Sequence, residues 1–167
     1  MGMLELELHS EADTVALARA LAAVLAPGDV IGLEGRLGAG KTTFTRAAVH
    51  GLGVPAETAV TSPTFALLHQ YQGRLPIAHA DFYRLGDEAE LEELGVDELL
   101  EEGGVLFVEW GKKFPAMGAR TALWVELEIL SDLARRARFR PESARGDAII
   151  SALSKRGSDE DLPSCGP

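Results

Sequence analysis

One stretch near the start of the chain constrains its fold more than any other. Residues 35–42 read Gly-Arg-Leu-Gly-Ala-Gly-Lys-Thr and fit the pattern G-x-x-x-x-G-K-[ST]. Residues 29–34 before this glycine loop, apolar between Asp29 and Glu34, predict a short buried strand, and residues 43–52 after it predict a helix with one apolar side. A strand, a glycine-rich loop and a helix in this order are the context in which the pattern binds phosphate. The stretch therefore predicts an α/β domain with a site for a nucleoside triphosphate.

The chemistry of such a loop assigns roles to its residues. Glycines let the backbone curl so that its N–H groups point inward, and the helix that begins near Lys41 adds the positive end of its dipole. Lys41 brings a positive charge to the β- and γ-phosphates, and the Thr42 hydroxyl can ligate Mg²⁺. The predicted nucleotide contacts in this stretch are Gly38, Ala39, Gly40, Lys41, Thr42 and Thr43.

Length and composition limit the classes of protein to which this chain can belong. A chain of 167 residues with 46% hydrophobic and 25% charged residues is typical of one globular domain. The net charge of −10 disfavours direct binding of nucleic acid, because neutralising phosphates needs clustered Lys and Arg. Cys165 is the single cysteine, so neither an internal disulfide nor a Cys-based zinc site is expected. Because the sequence has neither signal-peptide features nor an apolar run of about 18 residues, we expect a cytoplasmic protein without a membrane span.

Hydrophobic periodicity predicts the remaining elements. The expected strands cover residues 3–9, 65–71, 77–81, 105–109, 123–130 and 135–140. The expected helices cover residues 11–25, 87–102 with a break at Gly95, and 144–153. The acidic side chains of 87–102 favour a solvated helix face over a docking site. Four apolar residues at 105–108 follow two glycines, so this strand is expected in the middle of a sheet.

These elements predict a three-layer α/β phosphate-loop domain over residues 1–153. Its central sheet is expected to be mixed and mostly parallel, with strands 30–34 and 105–109 side by side or nearly so and an antiparallel hairpin at one edge. Residues 154–167 have little apolar content, so a disordered tail is expected there.

Two acidic residues at strand ends are candidates for the chemistry. Glu109 ends the strand at 105–108, and α/β sheets place ligands at the carboxyl ends of their strands. Opposite a phosphate loop, its carboxylate can hold Mg²⁺ directly or through water. Asp81 ends another strand and can orient the attacking water or help to place the metal. The predicted catalytic residues are Asp81, Glu109 and Lys41, whereas His79 is expected to be an interior residue outside the site.

A segment rich in hydroxyl groups follows the helix after the glycine loop. Residues 61–64 read Thr-Ser-Pro-Thr, where many phosphate-loop enzymes keep a loop that senses the γ-phosphate. We expect Thr64 to contact the nucleotide. A plain Ser/Pro turn is the alternative that this segment alone leaves open.

Several motifs occur along the chain in one order: Gly-Arg-Leu-Gly-Ala-Gly-Lys-Thr-Thr-Phe-Thr-Arg, Thr-Ser-Pro-Thr-Phe-Ala-Leu, His-Ala-Asp-Phe-Tyr-Arg-Leu, Glu-Leu-Glu-Glu-Leu-Gly and Val-Glu-Trp. Together they resemble the bacterial TsaE (YjeE) family of ATPases, over about residues 4–153. The resemblance implies a Mg²⁺-dependent ATPase with a part in making threonylcarbamoyladenosine beside the anticodon of tRNAs that read codons starting with A. It also implies that the protein binds a TsaB–TsaD heterodimer, hydrolyses ATP to reset that complex, and meets tRNA only through it.

The resemblance also implies roles by position. Lys41 and Thr42 match the nucleotide site, Glu109 the Mg²⁺ site, and Asp81 the catalytic neighbourhood. Trp110 matches a tryptophan that lies near the nucleotide.

The chain departs from the family pattern in three places. Arg36 stands where the family usually has Asp, at a position expected to point away from the phosphates. Ala80 and Phe82 replace two apolar residues of the family motif and keep the strand. The sequence after Val-Glu-Trp is less typical, so the resemblance implies no contacts for residues 111–116.

Three other functions are compatible with a glycine loop of this kind. A guanine-nucleotide switch needs an Asn-Lys-x-Asp motif, and this chain contains no asparagine. A small-molecule kinase needs an arginine-rich lid, and the cluster of arginines at 135–140 has the pattern of a strand instead. An interaction module that binds ATP without significant turnover is the most serious alternative.

Overall fold

The computed structural model describes residues 2–63 and 66–159, the last three of them as backbone alone. Within these ranges the strands are β1 (Leu4–Leu8), β2 (Val30–Glu34), β3 (Leu68–Gln72), β4 (Pro76–Asp81), β5 (Val105–Glu109), β6 (Leu123–Ile129) and β7 (Arg135–Pro141). The helices are α1 (Glu11–Val24), α2 (Lys41–Gly51), α3 (Glu88–Glu93), α4 (Val96–Glu101), α5 (Pro115–Arg120) and α6 (Ala144–Asp159), and a 3₁₀ turn spans Gly111–Lys113. No helix in the described ranges has both the length and the apolar character that a membrane span requires.

The seven strands of the described residues form one sheet in the order β1-β7-β6-β2-β5-β4-β3. β2 pairs in parallel with β5 on one side and β6 on the other, and β4 pairs in parallel with β5. β7 is antiparallel to both β6 and β1, and β3 is antiparallel to β4 at the far edge. Five strands therefore point the same way. The mixed, mostly parallel sheet is confirmed, and so are the pairing of 30–34 with 105–109 and the antiparallel hairpin at one edge.

Apolar side chains form a core on each face of the sheet. Along β5, Val105 and Phe107 join one cluster of buried residues, whereas Leu106 and Val108 join the other. This alternation is what a strand buried on both faces requires. The larger cluster takes side chains from α1, α2 and α6, and the smaller one takes them from α3, α4 and α5. Helices thus cover both faces of the central strands.

The pairing register brings three strand ends to the same edge of the sheet. Glu109 at the end of β5 lies opposite Asp81 in β4 and opposite Leu33 in β2. The glycine loop (residues 35–42) begins directly after β2. Residues that are far apart in the sequence therefore meet around this loop.

An ion pair fastens α6 to the turn between α1 and β2. Arg145 donates from Nε and Nη2 to the two carboxylate oxygens of Asp29, each at 2.8 Å, and from Nη2 to the carbonyl oxygen of Val24 at 2.9 Å. The hydrogen bonds to Asp29 raise the pKa of Arg145 above its ordinary value. Asp29 is 4% exposed, and its Oδ2 also accepts the N–H of Ala26 at 2.8 Å, so Arg145 neutralises the charge of a buried, hydrogen-bonded carboxylate.

The structure differs from the sequence expectations at several element boundaries. The last helix continues to Asp159, six residues beyond the expected end; Gly157 lies in this extension, and a glycine weakens a helix by only about 1 kcal/mol, whereas a proline would end it. The sequence predicts a disordered tail over 154–167: residues 154–159 are helical instead, and residues 160–167 lie outside the described residues, where the expectation stays a prediction. The segment at 111–120, for which no element was predicted, contains the 3₁₀ turn and α5. Phe114 and Met117 are buried there against the smaller cluster, so tertiary packing explains these two short elements.

Candidate functional site

Three glycines give the glycine loop its shape. Gly35, Gly38 and Gly40 have φ angles of 151°, 84° and 104°, in a region that residues with a side chain rarely adopt. A Cβ atom at position 35 would also lie 2.7 Å from the carbonyl oxygen of Leu127. Gly40 is the N-cap of α2, so the helix begins at Lys41 and the free N–H groups of its first turn open onto the loop. The result is a curled backbone next to the positive end of a helix dipole.

Glu109 is a buried carboxylate beside this loop, with 4% of its surface exposed. Its Oε2 accepts a hydrogen bond from the Ser62 hydroxyl at 3.4 Å and lies 3.0 Å from Nε2 of His79. Its Oε1 lies 3.8 Å from Nζ of Lys41, which also donates to the carbonyl oxygen of Gly35 at 2.5 Å. Three polar side chains from distant parts of the chain thus hold one carboxylate in a fixed orientation.

His79 is an interior residue that contacts a predicted residue of the site. The residue is fully buried, as an interior histidine should be, yet its ring nitrogen contacts Glu109. The register of β4 and β5 explains the contact: Asp81 lies opposite Glu109, so His79 lies diagonally across from Glu109 on the same face. The interior position of His79 is confirmed, and its contact with Glu109 is one that the sequence does not predict.

Asp81 and Glu109 end neighbouring strands. Oδ1 of Asp81 accepts the N–H of Tyr83 at 3.0 Å, which shapes the turn after β4. The N–H of Phe82 donates to the carbonyl oxygen of Glu109 at 3.0 Å. These bonds tie the end of β4 to the end of β5 and place both carboxylates on one side of the glycine loop.

Two aromatic side chains lie at the mouth of the site. The rings of Trp110 and Tyr83 are 5.0 Å apart and tilted by 54°, and both are largely exposed. Nζ of Lys41 lies 5.6 Å from the centre of the Trp110 ring. Trp110 has a φ angle of 63°, which is unusual for a bulky residue and marks a strained position at the end of β5.

A cleft of about 730 Å³ runs along the glycine loop and gathers most of the predicted site residues. It is lined by Gly38, Gly40, Lys41, Thr42, Thr43, Asp81, Glu109 and Trp110 from the predicted set. The structure adds Leu37, Ser62 and Tyr83, of which Ser62 belongs to the hydroxyl-rich segment noted in the sequence. The cleft therefore brings together residues from four separate segments of the chain.

Two predicted residues are not part of this lining. The side chain of Ala39 is buried in the larger core cluster, so only its backbone can contact a ligand. Thr64 lies outside the described residues, and its predicted contact stays a prediction.

A smaller cavity of about 170 Å³ lies beside the glycine loop. Its lining comes from the glycine loop and the start of α2, from the first turns of α1, and from the turn before β7 with the first residue of that strand: Gly38, Ala39, Gly40, Thr43, Glu11, Thr14, Asp132, Leu133 and Arg135. Arg135 also donates hydrogen bonds to carbonyl oxygens of the loop. Nothing in the local sequence indicates this role, because 96 residues separate Arg135 from Ala39.

The polar groups of the main cleft suit a hard cation that has other ligands as well. The Thr42 hydroxyl and the Glu109 carboxylate are oxygen donors on the same side of the glycine loop. Among the described residues, no group of three or more His, Cys, Asp or Glu side chains forms a metal cage. This donor set fits Mg²⁺, which is held by few protein oxygens together with water and phosphate oxygens.

Comparison of the sequence with models of protein families gives a match over most of the chain. The sequence model described as "Threonylcarbamoyl adenosine biosynthesis protein TsaE" matches residues 8–137. This chain belongs to the TsaE family. The match spans the glycine loop, the strands that carry Asp81 and Glu109, and the first residues of β7.

Individual relatives support the same assignment. The tRNA threonylcarbamoyladenosine biosynthesis protein TsaE of Bacillus subtilis is 39% identical over 144 residues, which cover 86% of this chain and 89% of the relative. The protein of the same name from Aquifex aeolicus is 38% identical over 136 residues, covering 81% of this chain and 94% of the relative. The crystal structure of Bacillus subtilis YdiB superposes with a TM-score of 0.75 at 31% identity, covering 93% of this chain and 96% of that one.

Proposed function

We propose that this TsaE family member is a Mg²⁺-dependent ATPase of the three-layer phosphate-loop class, acting in the biosynthesis of threonylcarbamoyladenosine in tRNA. The observation that carries the proposal is the cleft in which Lys41 and the buried Glu109 face each other across 3.8 Å beside the curled glycine loop. A lysine, a buried acid and a helix N-terminus are the three parts that phosphate-loop enzymes use to hold a triphosphate and its metal. The assignment to threonylcarbamoyladenosine biosynthesis is supported by the names of the relatives, which are tRNA threonylcarbamoyladenosine biosynthesis proteins.

The loop residues bind the triphosphate in this proposal. N–H groups of Gly38 to Thr43 donate to phosphate oxygens, and the dipole of α2 favours the negative charge. Lys41 exchanges its bond to the carbonyl oxygen of Gly35 for one to the β- and γ-phosphates. Trp110 and Tyr83 cover the mouth of the cleft and limit the access of bulk water.

Thr42 and Glu109 would hold Mg²⁺ between them and the phosphates. When bound, the ion would neutralise charge that develops on the phosphate oxygens. His79 and Ser62 fix the orientation of the Glu109 carboxylate, so that little rearrangement is needed when the ligand arrives.

Asp81 is the residue we assign to the attacking water. It ends the strand next to Glu109 and lines the cleft, and its backbone is fixed by the turn at Tyr83. A carboxylate in this place can accept a hydrogen bond from water and orient it toward the γ-phosphate. The bond that breaks joins the γ-phosphorus to the bridging oxygen, and the products are ADP and phosphate.

The smaller cavity gives the nucleotide a further contact surface. It adjoins the same loop residues, from Gly38 to Thr43, and includes the apolar side chain of Leu133. A planar base suits such a cavity, since Leu133 offers its face an apolar contact and polar side chains such as Thr14 and Asp132 can hydrogen-bond its edge. We therefore place the adenine of ATP there.

A TsaB–TsaD heterodimer is the partner that we propose, with ATP hydrolysis resetting that complex between rounds of modification. The family resemblance of the motifs supports this partner, and the net charge of −10 argues against a direct grip on tRNA. tRNA would then be reached through the heterodimer, in the cytoplasm. Exposed Trp110 and Tyr83 lie beside the cleft, where a bound partner can affect turnover.

Phosphate release with and without the TsaB–TsaD pair tests the proposal. We expect slow hydrolysis by the protein alone and faster hydrolysis with the pair. Lys41→Ala should abolish nucleotide binding, and Glu109→Ala should lose Mg²⁺-dependent turnover while its circular dichroism stays unchanged. Lys155→Ala, at an exposed position on α6, is the control for loss of one positive charge.

Each alternative predicts a different result in the same assay. Unchanged ATP affinity in Lys41→Ala would show that the loop is not the site, and normal turnover in Glu109→Ala would remove that residue from the mechanism. ATP binding without turnover, even with the pair present, would support the interaction module. Phosphorylation of an added metabolite would support the kinase.

A further inference from the structure

Arg135 connects the turn between β6 and β7 to the outer side of the glycine loop. Its Nε donates to the carbonyl oxygen of Ala39 and its Nη2 to that of Gly38, both at 3.2 Å. Its Nη1 donates to the turn, to the carbonyl oxygens of Ser131 at 2.7 Å and Ala134 at 2.9 Å. One half-buried guanidinium thus uses all three of its nitrogens on backbone carbonyls of two separate segments.

The direction of a loop carbonyl group decides which way the N–H group of the same peptide plane points, and a phosphate site needs those N–H groups to point inward. In a trans peptide the N–H points opposite to the C=O of the same peptide plane. Because Arg135 holds the carbonyl of Ala39 on its own side, the N–H of Gly40 points away from Arg135, and Gly40 lines the main cleft. Rotation of this peptide plane would turn a carbonyl toward the phosphates instead of an N–H group.

Inside the loop, the N–H of Ala39 donates to the carbonyl oxygen of Arg36 at 3.0 Å, but this bond does not hold the next peptide plane, between Ala39 and Gly40. Gly38 and Gly40 flank Ala39, and glycines lose more backbone entropy on ordering than any other residue. Lys41 bonds to the carbonyl of Gly35 in the structure, but a lysine that moves to the phosphates gives up that bond. Arg135 does not line the main cleft, where the phosphates are proposed to bind, and can keep its loop contacts throughout the cycle. Its side chain does line the smaller cavity assigned to adenine, so hydrogen exchange of the loop, rather than affinity alone, reports on positioning.

From this arrangement we infer that Arg135 is a positioning residue that preorganises the glycine loop for the triphosphate. The inference rests on the proposed ATP site and deepens it. Arginine suits the task because its planar guanidinium places several N–H groups in a fixed fork, whereas lysine is a single point charge. The turn at 131–134 is the rigid support, held by the N–H of Leu130, which donates to the carbonyl oxygen of Ala134 at 3.0 Å.

Two substitutions separate positioning from charge. Arg135→Met removes both the charge and the fork, and Arg135→Lys keeps the charge and removes the fork. Arg138→Met is the matched control, because Arg138 lies on the same strand and pairs with Glu5 and Glu128 far from the loop contacts. The amide hydrogen exchange of residues 36–43 is measured first, in the ligand-free protein. The Kd for MgATP and kcat at saturating ATP are then measured for each variant.

We expect both Arg135 variants to exchange faster at 36–43 and to bind MgATP about tenfold more weakly, as the loss of two hydrogen bonds to the loop predicts. Turnover at saturating ATP should change little, because Arg135 does not touch the reacting atoms. Arg138→Met should match the wild type in all three measurements.

Three results would overturn the inference. Arg135→Lys could behave as the wild type, which would mean that charge alone matters. The affinity could fall without faster exchange at 36–43, or kcat could fall as far as the affinity. If the wild type binds no nucleotide, the proposed function fails, but the exchange rates of the variants and the control still decide whether Arg135 holds the loop. If Arg135→Met does not fold, the comparison of Arg135→Lys with the wild type and with Arg138→Met still tests the inference.

Discussion

At the scale of single residues, the site depends on the environment of one carboxylate. Glu109 is buried, and an isolated buried carboxylate would be costly. His79, Ser62 and Lys41 provide hydrogen-bonding and ionic partners around it. The same contacts fix its direction, so the residues that stabilise Glu109 in the fold would also orient it for the metal-ligand role proposed for it.

We expect His79→Phe to raise the Mg²⁺ concentration needed for half-maximal turnover by about 10- to 100-fold, because a partner that orients a metal ligand is lost. The ring fills a similar volume, so the protein should stay folded. Titrating Mg²⁺ at saturating ATP measures the effect, and thermal unfolding checks the fold. His79→Gln, which can still donate a hydrogen bond, should lie between the wild type and His79→Phe; equal Mg²⁺ requirements in all three proteins would contradict the role.

The sequence could reveal residues of the glycine loop, Asp81 and Glu109, because their positions follow from local patterns. Loop glycines and strand ends can be read without knowing what lies beside them. His79 and Arg135 could not be found in this way, since their contacts depend on strand register and on a turn from the other end of the chain. A single sequence contains no direct signal for either.

At the scale of elements, the packing between β2 and β6 leaves no room for a side chain at position 32. Gly32 of β2 lies opposite Trp124 of β6, and a Cβ atom at position 32 would lie 2.1 Å from the Trp124 ring. Trp124 is 3% exposed and has no open space to move into. A glycine here lets the indole lie flat against the strand that leads into the glycine loop.

Gly32→Ala should lower the free energy of unfolding by about 3 kcal/mol, because an overpacked core must shift backbone or rotamers. Urea denaturation followed by tryptophan fluorescence measures the change. Gly118→Ala is the control, since a Cβ atom there meets nothing within 4 Å and alanine favours a helix. Similar stability losses in both variants would show that the contact with Trp124 does not limit position 32.

Periodicity located most of the strands and helices, but it did not predict the 3₁₀ turn at 111–113 or α5. β1, β2, β5 and α1 have clear two- or 3.6-residue patterns, and the structure places them within about two residues of the expected ranges. The 3₁₀ turn at 111–113 and α5 are too short to show a period. They form because Phe114 and Met117 fill the smaller core, which is a property of the assembled fold.

At the scale of the whole molecule, the site is a meeting point of segments that are distant in sequence. The glycine loop, Ser62, the end of β4 and the end of β5 all reach one cleft. No local piece of the chain can form this cleft alone, so a ligand bound there stabilises the complete fold over the unfolded chain. Binding can therefore be detected by global unfolding even before any turnover is measured.

MgATP at about 100 times its Kd should add about 2.7 kcal/mol to the free energy of unfolding. For a domain of this size, that corresponds to a rise in Tm of about 5–10 °C. Differential scanning calorimetry with MgATP, with ATP plus EDTA, and with neither ligand measures the rise, which should be largest with MgATP because Thr42 and Glu109 then contribute as metal ligands. Lys41→Ala should show no rise under any of these conditions. An equal rise in Lys41→Ala and in the wild type would mean that ATP binds elsewhere on the molecule.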